Sequence, residues 1–247
     1  MKRILVVGGS NGIGLAMTQA LLKRKEIEKL YILDKKPLDE LFKNEKIESH
    51  IFDLSSEDYS ILNNINDIDG LIITAGFGRL ALFENIEESM ISSYFQVNTI
   101  GVIRVIKHYY DRLLSNNSFK CCVMVSIAGY MSSPFFSLYG ASKAALRIFI
   151  ESVNVELKKS GSLNCILNVS PGSIKGTSFS NAPTDLDVVM PLAEEILQHL
   201  DEGDDLFIPR YEEVFKEVLH RYHEDFRKEG LHSYEYKCLS RRIINPS

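Results

Sequence analysis

The stretch ILVVGGSNGIG at residues 4–14 decides the fold of this chain. Its first four residues form an uninterrupted apolar run, which is typical of a strand buried on both faces. Glycines follow at once, at Gly8, Gly9, Gly12 and Gly14. Residues 15–25 then read as a helix, whose free N–H groups would attract phosphate oxygens, while the glycines let the backbone approach a pyrophosphate. The stretch therefore predicts a dinucleotide-binding turn, with a plain strand-to-helix turn as the alternative.

An acidic residue ends the next predicted strand. Asp34 follows the apolar residues 30–33 and lies 20 positions after Gly14 (34 − 14). A carboxylate at this place accepts hydrogen bonds from the ribose hydroxyls of an adenosine, and it would repel a 2′-phosphate. NAD is therefore the favoured cofactor. NADP stays open, because Lys35 and Lys36 offer positive charges that a phosphate would pair with.

Strands and helices alternate along the rest of the chain. Further strands are predicted at 49–52, 71–73, 121–125, 165–169 and 206–208, and helices at 84–114, 139–158 and 211–228. Residues 55–58 resemble a capping box that opens another helix. This alternation predicts a single α/β domain with a doubly wound, Rossmann-like parallel sheet of about seven strands and helices on both faces. We divide the chain into a catalytic domain at 1–210 and a C-terminal helix and tail at 211–247, which packs on the same domain or on a partner subunit.

Composition narrows the function classes. The 247 residues carry a net charge of −5, which disfavours a nucleic-acid partner. No apolar run reaches the roughly 18 residues of a membrane span, and the N-terminal run is too short for a signal peptide, so we expect a cytoplasmic protein without membrane contacts. The four cysteines lack CxxC spacing and predict buried, reduced thiols. We expect no metal site, since His220 and His223 lack a matching third ligand and fit a solvated helix face.

A tyrosine and a lysine are spaced for acid–base chemistry. Tyr139 and Lys143 stand at i and i+4 of a predicted helix, so they share one face. A free tyrosine has a pKa near 10, which is too high for an efficient acid or base at neutral pH. A nearby ammonium group stabilises the phenolate and lowers this pKa. An isolated pair of this kind is usually an ordinary surface contact, but here it follows a predicted dinucleotide turn.

In this order, the motifs resemble those of the short-chain dehydrogenase/reductase family, over most of the chain. The segments that carry the resemblance are residues 7–14, Asp53-Leu54, Thr74-Ala75-Gly76, Asn98, Ser126 (13 residues before Tyr139, 139 − 126), Tyr139 with Lys143, and Pro171-Gly172. The resemblance implies an NAD(P)-dependent oxidoreductase that interconverts an alcohol and a carbonyl of a small molecule. It also implies a homo-dimer or homo-tetramer.

The resemblance assigns a role to each catalytic residue. Tyr139 would exchange the proton of the substrate oxygen, and Ser126 would hydrogen-bond that oxygen. Lys143 would lower the pKa of Tyr139 and bind the nicotinamide ribose, while Asn98 would hold a water of a proton relay. The cofactor-binding residues implied are Gly8, Ser10, Asn11, Gly12, Ile13, Gly14, Asp34, Asp53, Leu54, Ala75, Gly76, Tyr139, Lys143, Pro171, Gly172, Ile174 and Thr177.

The chain departs from the family pattern at a few positions. Val7 replaces the usual threonine, and Thr74 replaces the usual asparagine but can still form hydrogen bonds. After Pro171-Gly172 the expected threonine comes one position late, as Thr177, which leaves its contact with the nicotinamide carboxamide open. By resemblance, residues 179–190 are expected to form a short mobile lid.

Other features leave alternatives open. Phe135 and Phe136 would line a substrate pocket or pack at a subunit interface. In the tail, Phe215, Val218, Leu219, Tyr222 and Phe226 form a helical stripe that packs on the same subunit or across a dimer. The functional alternatives are a regulator that binds NAD(P) without turnover and a sugar-nucleotide epimerase or dehydratase on a related scaffold.

Overall fold

A single parallel sheet organises the chain. A computed structural model describes residues 1–177 and 183–240, and this part contains seven strands in the order β3-β2-β1-β4-β5-β6-β7, all parallel. The strands are β1 (Arg3–Val7), β2 (Lys29–Asp34), β3 (Ile47–Ile51), β4 (Gly70–Ile73), β5 (Lys120–Met124), β6 (Ile166–Val169) and β7 (Leu206–Phe207). The predicted doubly wound α/β fold is confirmed.

The strand order reverses beside β1, and this reversal places the site. The last residue of β1, Val7, pairs with Leu33 of β2 on one side and with Ile73 of β4 on the other. The connection that follows β1 runs to one side, toward β2, and the connection that follows β4 runs to the other, toward β5. A crevice therefore opens between these connections at the carboxyl ends of β1 and β4. The glycine turn after Val7 and the segment after Ile73 both lie at this crevice.

Helices cover both faces of the sheet. They are α1 (Gly12–Leu22), α2 (Glu88–Phe95), α3 (Gly101–His108), α4 (Tyr110–Leu114), α5 (Ser137–Ser160), α6 (Leu186–Glu202), α7 (Lys216–Glu224) and α8 (Phe226–Leu239). On one face, Leu21 of α1 and Leu197 of α6 join a buried cluster with the strands. On the other, Val105 of α3 and Ile150 of α5 join a second cluster. Burial of these apolar faces holds the helices to the sheet.

Three predicted helices differ from the structure. The helix expected at 84–114 is divided into α2, a π-helical turn at Gln96–Ile100, α3 and α4. The prediction that residues 55–58 cap a helix is wrong. Between β3 and β4 the chain forms only a short 3₁₀ helix, at Ser60–Asn64, and its N-cap is Tyr59. The tail helix expected at 211–228 ends at Glu224, because Asp225 leaves the helical conformation and caps α8 through the backbone N–H groups of Arg227 and Lys228.

The tail packs against its own chain, although less closely than the predicted stripe implies. Phe215 contacts Gly172, whereas Phe226 is 60% exposed because the break at Asp225 turns it outward. The four cysteines are unpaired, with Cys121 and Cys122 buried and Cys165 and Cys238 only partly so. Among the described residues, no helix is both long and apolar enough to cross a lipid bilayer.

Candidate active site

At two positions of the glycine turn, neighbouring backbone lies too close to leave room for a side chain. Gly8 has φ +94°, and a Cβ built on it would lie 2.5 Å from the backbone nitrogen of Ala75. A Cβ on Gly14 would lie 2.1 Å from the carbonyl oxygen of Gly8. The N-terminus of α1 is capped by Asn11, whose Oδ1 accepts from the N–H of Gly12 at 2.8 Å. The turn therefore brings bare backbone to the crevice, as the approach of a pyrophosphate requires.

A buried hydroxyl in this turn has no partner among the described residues. The Ser10 Oγ is shielded from solvent and forms no hydrogen bond there, whereas the Ser10 N–H donates to Asp34 Oδ2 at 3.0 Å. Buried polar atoms are nearly always hydrogen-bonded, so an unsatisfied one calls for an explanation. A hydroxyl or phosphate oxygen of a dinucleotide is a suitable partner, and the turn thus fits the predicted cofactor.

Two carboxylates lie at the carboxyl ends of neighbouring strands, with Asp34 as the last residue of β2 and Asp53 just after β3. Asp34 accepts from the N–H groups of Ser10 and Lys36. Asp53 accepts from the Lys35 ammonium at 2.8 Å and from Ser55. Burial alone would raise the pKa of Asp53, but these hydrogen bonds outweigh it and hold the pKa at about 2. Lys35 is therefore engaged by a neighbouring carboxylate.

The segment after β4 anchors the turn. Thr74 Oγ1 donates to the Gly8 carbonyl oxygen at 3.0 Å, so the substituted threonine still ties the two loops together. The N–H of Ala75 donates to the Val7 carbonyl oxygen at 3.1 Å. Gly76 lies at the centre of the site, since a Cβ built on it would be 3.2 Å from Asn98 Oδ1 and 3.3 Å from Lys143 Nζ. Leu54, by contrast, is buried under Tyr59, whose hydroxyl donates to the Leu54 carbonyl oxygen.

Ser126 and Tyr139 lie close together in the site. Ser126 lies just after β5 and caps a short 3₁₀ turn, where its Oγ accepts from the N–H of Ala128 at 3.1 Å. Tyr139 lies in the first turn of α5 and is 9% exposed. Burial raises the pKa of the Tyr139 phenol to about 12, the hydrogen bond with Ser126 partly opposes this, and the Tyr94 phenol adds to the rise.

Lys143 is buried one turn further along α5. It is 2% exposed, and its Nζ donates to the Met124 carbonyl oxygen at 2.8 Å. Desolvation lowers the pKa of the Lys143 ammonium to about 7. The Nζ atom lies 6.0 Å from the centroid of the Tyr139 ring. A lysine that gains and loses its proton near neutral pH thus lies next to a phenol.

Asn98 occupies the π-helical turn, a feature that often marks functional sites. Its Oδ1 accepts from the N–H of Phe77, and its Nδ2 donates to the Phe77 carbonyl oxygen and to Ser142 Oγ. These bonds fix the side chain completely buried beside Gly76. The structure therefore brings Asn98, Ser126, Tyr139 and Lys143 to one edge of the sheet.

The loop after β6 closes the other side. The Pro171 carbonyl oxygen accepts from the N–H of Ile127 at 3.0 Å, and Thr177 Oγ1 donates to the Ile174 carbonyl oxygen at 3.2 Å. Thr177 is buried and lies beside Gly12. Of the lid predicted at 179–190, residues 179–182 lie outside the described residues and residues 186–190 begin α6.

Thr184 connects this loop to the phosphate turn. Its Oγ1 accepts from the N–H of Gly12 at 2.8 Å and also hydrogen-bonds Asn11 Oδ1. Ile13, next along the turn, is buried in the α1 core. Most of the residues predicted to bind a cofactor thus lie at the carboxyl ends of β1, β4 and β6, whereas Ile13 is buried in the core and Asp53 and Leu54 follow β3.

Comparison with known proteins identifies the family. The model of the short chain dehydrogenase family matches residues 2–186. The chain belongs to this family. It is similar to the carbonyl reductase family member 4 of Xenopus laevis, with 30% identity over 213 residues that cover 80% of this chain and 88% of the relative. It is also similar to the uncharacterized oxidoreductase YvrD of Bacillus subtilis, with 26% identity over 86% of this chain and 80% of the relative.

Solved structures of short-chain dehydrogenases share the fold. One from Burkholderia phymatum, in complex with NAD, has a TM-score of 0.77 at 18% identity and covers 91% of this chain and 93% of that protein. Another from Burkholderia cenocepacia, in complex with NADP, has a TM-score of 0.73 at 22% identity and covers 90% and 98%. Together with the family match, these likenesses show that the chain has the fold of a short-chain dehydrogenase.

Several groups at the site of this short-chain dehydrogenase could not be predicted from the sequence. The Met124 carbonyl that holds Lys143 is a backbone group, and no side-chain pattern announces it. Tyr94 and Ser142 fall on helices whose relative position the sequence does not give. Phe215 contacts Gly172 from the tail, and only the predicted apolar stripe hinted at an inward face.

Proposed function

We propose that this short-chain dehydrogenase interconverts an alcohol and a carbonyl, with a CH–OH group as hydride donor in the oxidative direction. The observation that carries the proposal is the buried group of Ser126, Tyr139 and Lys143, in which Tyr139 lies close to Ser126 and Lys143 lies one helical turn further along α5. Hydride transfer is the chemistry that a bound nicotinamide supplies. The protein must then hold the substrate oxygen and move its proton.

Tyr139 is proposed to exchange that proton. In the reductive direction its O–H donates to the carbonyl oxygen while Ser126 donates a second hydrogen bond to the same oxygen. In the oxidative direction the phenolate accepts the proton of the alcohol. Since burial raises the pKa of Tyr139 to about 12, the phenolate needs a stabilising positive charge. Lys143 is placed to supply it.

Lys143 and Asn98 are proposed to restore the proton. With a pKa lowered to about 7, Lys143 can pass a proton onward at neutral pH and regain it. The Asn98 side chain is fixed by Phe77 and Ser142, which supports a role in ordering the backbone of its π-helical turn. A carbonyl freed in that turn would hold the relay water.

NAD is the proposed cofactor, and NADP is the alternative. The residues of the glycine turn would hold the pyrophosphate, with Ser10 Oγ as an unsatisfied partner. Asp34 would bind the adenosine ribose hydroxyls. The ion pair of Lys35 with Asp53 supports NAD, because it directs that charge away from a 2′-phosphate.

We also propose that the protein acts in the cytoplasm as a homo-dimer or homo-tetramer. Its four unpaired cysteines fit a reducing compartment. On α5, Ile148 and Val155 are 54% and 69% exposed, and such apolar side chains favour an interface between helices of two copies. The division at residue 210 stays a prediction.

The proposal is tested by a spectrophotometric screen of alcohols with NAD and NADP, and of carbonyls with the reduced cofactors. For a substrate found in this way, Tyr139→Phe is expected to lower kcat by a factor of about 10²–10⁴, because the proton donor is removed. NADH affinity should stay within about twofold, since the ring and its packing remain. Tyr110→Phe, on α4, is the matched control. NADH binding without turnover of any alcohol or carbonyl would instead favour the cofactor-binding regulator.

A further inference from the structure

The segment at residues 132–136 joins the Ser126 loop to the catalytic helix. Its last residue, Phe136, is the N-cap of α5 and has its ring centroid 5.5 Å from that of Tyr139. Phe136 is half-buried and lies next to the phenol. Tyr94 also lies close enough to affect the pKa of Tyr139, and its ring stacks on that of Phe77 with centroids 4.6 Å apart. Aromatic rings therefore lie near the place where the substrate carbonyl is proposed to bind.

The segment is held in a strained conformation. Phe135 has φ +67°, a left-handed value that is unfavourable for a bulky residue and persists only where the surroundings enforce it. The side chain is 4% exposed and stacks on Tyr234 of α8 with ring centroids 4.6 Å apart. The Phe135 carbonyl oxygen accepts from the N–H of Ala81 at 2.9 Å. Helix α8 therefore supplies part of what enforces this turn.

A lysine of α8 makes the direct polar contacts. Lys237 Nζ donates to Ser133 Oγ and to the Pro134 carbonyl oxygen, both at 2.8 Å. The same ammonium lies 5.5 Å from the centroid of the Phe136 ring, within range of a cation–π contact. One side chain thus contacts three positions of the turn before α5, at 133, 134 and 136.

Helix α8 is itself anchored. Arg221 of α7 forms two hydrogen bonds to Glu229, which is buried, at 2.8 and 3.1 Å. Gly230 lets α8 approach the segment closely, since a Cβ built on it would lie 2.9 Å from Ser132 Oγ. Phe215, just before α7, contacts Gly172. The two helices are therefore fixed to the loops on both sides of the proposed substrate site.

We propose that Lys237 is a positioning residue that holds Phe136 as an apolar wall beside the reacting carbon. This inference rests on the proposed function, because the wall matters only if a substrate oxygen binds between Ser126 and Tyr139. The substrate class it selects is a ketone or secondary alcohol with an apolar group next to the carbonyl carbon. Polyhydroxylated substrates are disfavoured, since aromatic faces offer their hydroxyls few hydrogen-bond partners.

The test uses two ketones of the same shape, cyclohexanone and tetrahydropyran-4-one, which differ by one CH₂ replaced with an oxygen. The wild type with NADH is expected to prefer cyclohexanone by about tenfold in kcat/KM, because the wall is apolar. Lys237→Met removes both hydrogen bonds to the segment. It is expected to raise the KM for cyclohexanone about tenfold, to reduce this preference, and to change kcat less than about threefold.

Lys228→Met is the matched control, as the same substitution at an exposed position of α8. A second readout uses the Tyr139→Phe background, in which calorimetry with bound NADH measures cyclohexanone affinity without turnover. There Lys237→Met should weaken binding about tenfold, whereas Lys228→Met should not. Melting temperatures and NADH affinities of both variants should match their parents, which separates positioning from general loss of structure.

The outcomes separate the two proposals. If cyclohexanone is reduced and Lys237→Met behaves like Lys228→Met, the wall is refuted and the proposed function stands. If cyclohexanone binds in a Lys237-dependent manner but is never reduced, the wall stands and the proposed function fails for this substrate class. If cyclohexanone neither binds nor reacts, the apolar wall is refuted, and the function is judged by the wider screen.

Discussion

The burial of Lys143 predicts how the stability of the protein depends on pH. Its pKa falls from 10.5 to about 7 on folding because the ammonium is desolvated. Between these values the unfolded chain binds a proton that the folded chain does not, so the free energy of unfolding must rise with pH. At 1.36 kcal/mol per pKa unit, burial of Lys143 lowers the free energy of unfolding by at most about 5 kcal/mol. This loss is complete below pH 7 and has disappeared by pH 10.5.

The assay is urea unfolding of the wild type and of Lys143→Met from pH 7.5 to 9.5. Over these two pH units the wild type should gain about 2–3 kcal/mol relative to the variant. Burial also raises the pKa of the Cys121 and Cys122 thiols, which lowers stability at high pH, but both proteins share this effect and it cancels in the difference. Loss of the hydrogen bond to Met124 shifts the variant by about 1 kcal/mol at every pH and leaves the slope unchanged.

Lys158→Met is the matched control, because Lys158 lies exposed on the same helix. It should keep the wild-type dependence on pH. If the curves of the wild type and Lys143→Met run parallel, then the folded protein does not depress the lysine pKa. The reasoning from burial to a proton-passing lysine would then be refuted.

Two further predictions concern the cofactor. Gly14→Ala should weaken NADH binding at least about tenfold, because its Cβ would meet the Gly8 carbonyl oxygen at 2.1 Å; retained affinity would contradict the proposed turn. Its control, Gly161→Ala, changes a glycine at φ +85° with nothing within 4 Å and should cost about 1 kcal/mol of stability while leaving NADH binding intact. Direct titration should give a lower Kd for NADH than for NADPH, and Asp34→Ser should narrow the ratio about tenfold. Tighter binding of NADPH than of NADH by the wild type would refute the proposal that Asp34 binds the adenosine ribose hydroxyls.

Features encoded by local pattern were predictable from the sequence. The apolar run of β1 is buried along residues 4–7, and Asp34 does lie beside the glycine turn, where it accepts from Ser10. The family's spacing of Ser126 and Tyr139 also implied that both act at one substrate oxygen, and in the structure the two residues lie close together. These features follow from short-range periodicity or from a motif whose parts meet at one edge of the sheet.

Features that depend on competition between local hydrogen bonds were not predictable. Residues 55–58 were expected to cap a helix, but successive side chains cap turns instead: Asp53 accepts from Ser55, and Ser56 Oγ from the N–H of Asp58. Such turns offer the backbone an alternative to helix. In the tail, Asp225 could equally have continued the helix, but in the structure it caps α8, which contacts the 132–136 segment. The role of Lys237 depends on that tertiary contact and has no signature in the sequence.

Burial acts on the two catalytic groups in opposite directions, and both shifts favour neutral forms. The pKa of Tyr139 rises to about 12 and that of Lys143 falls to about 7, so at neutral pH the phenol is protonated and the lysine is only partly charged. An ionised pair would be costly at 9% and 2% exposure, whereas a neutral pair is tolerated. The phenolate therefore has to be stabilised by Lys143 in its charged form together with positive charge that arrives with the ligands. It follows that the pH dependence of kcat/KM, which reports the free protein, should differ from that of kcat, which reports the ligand-bound state.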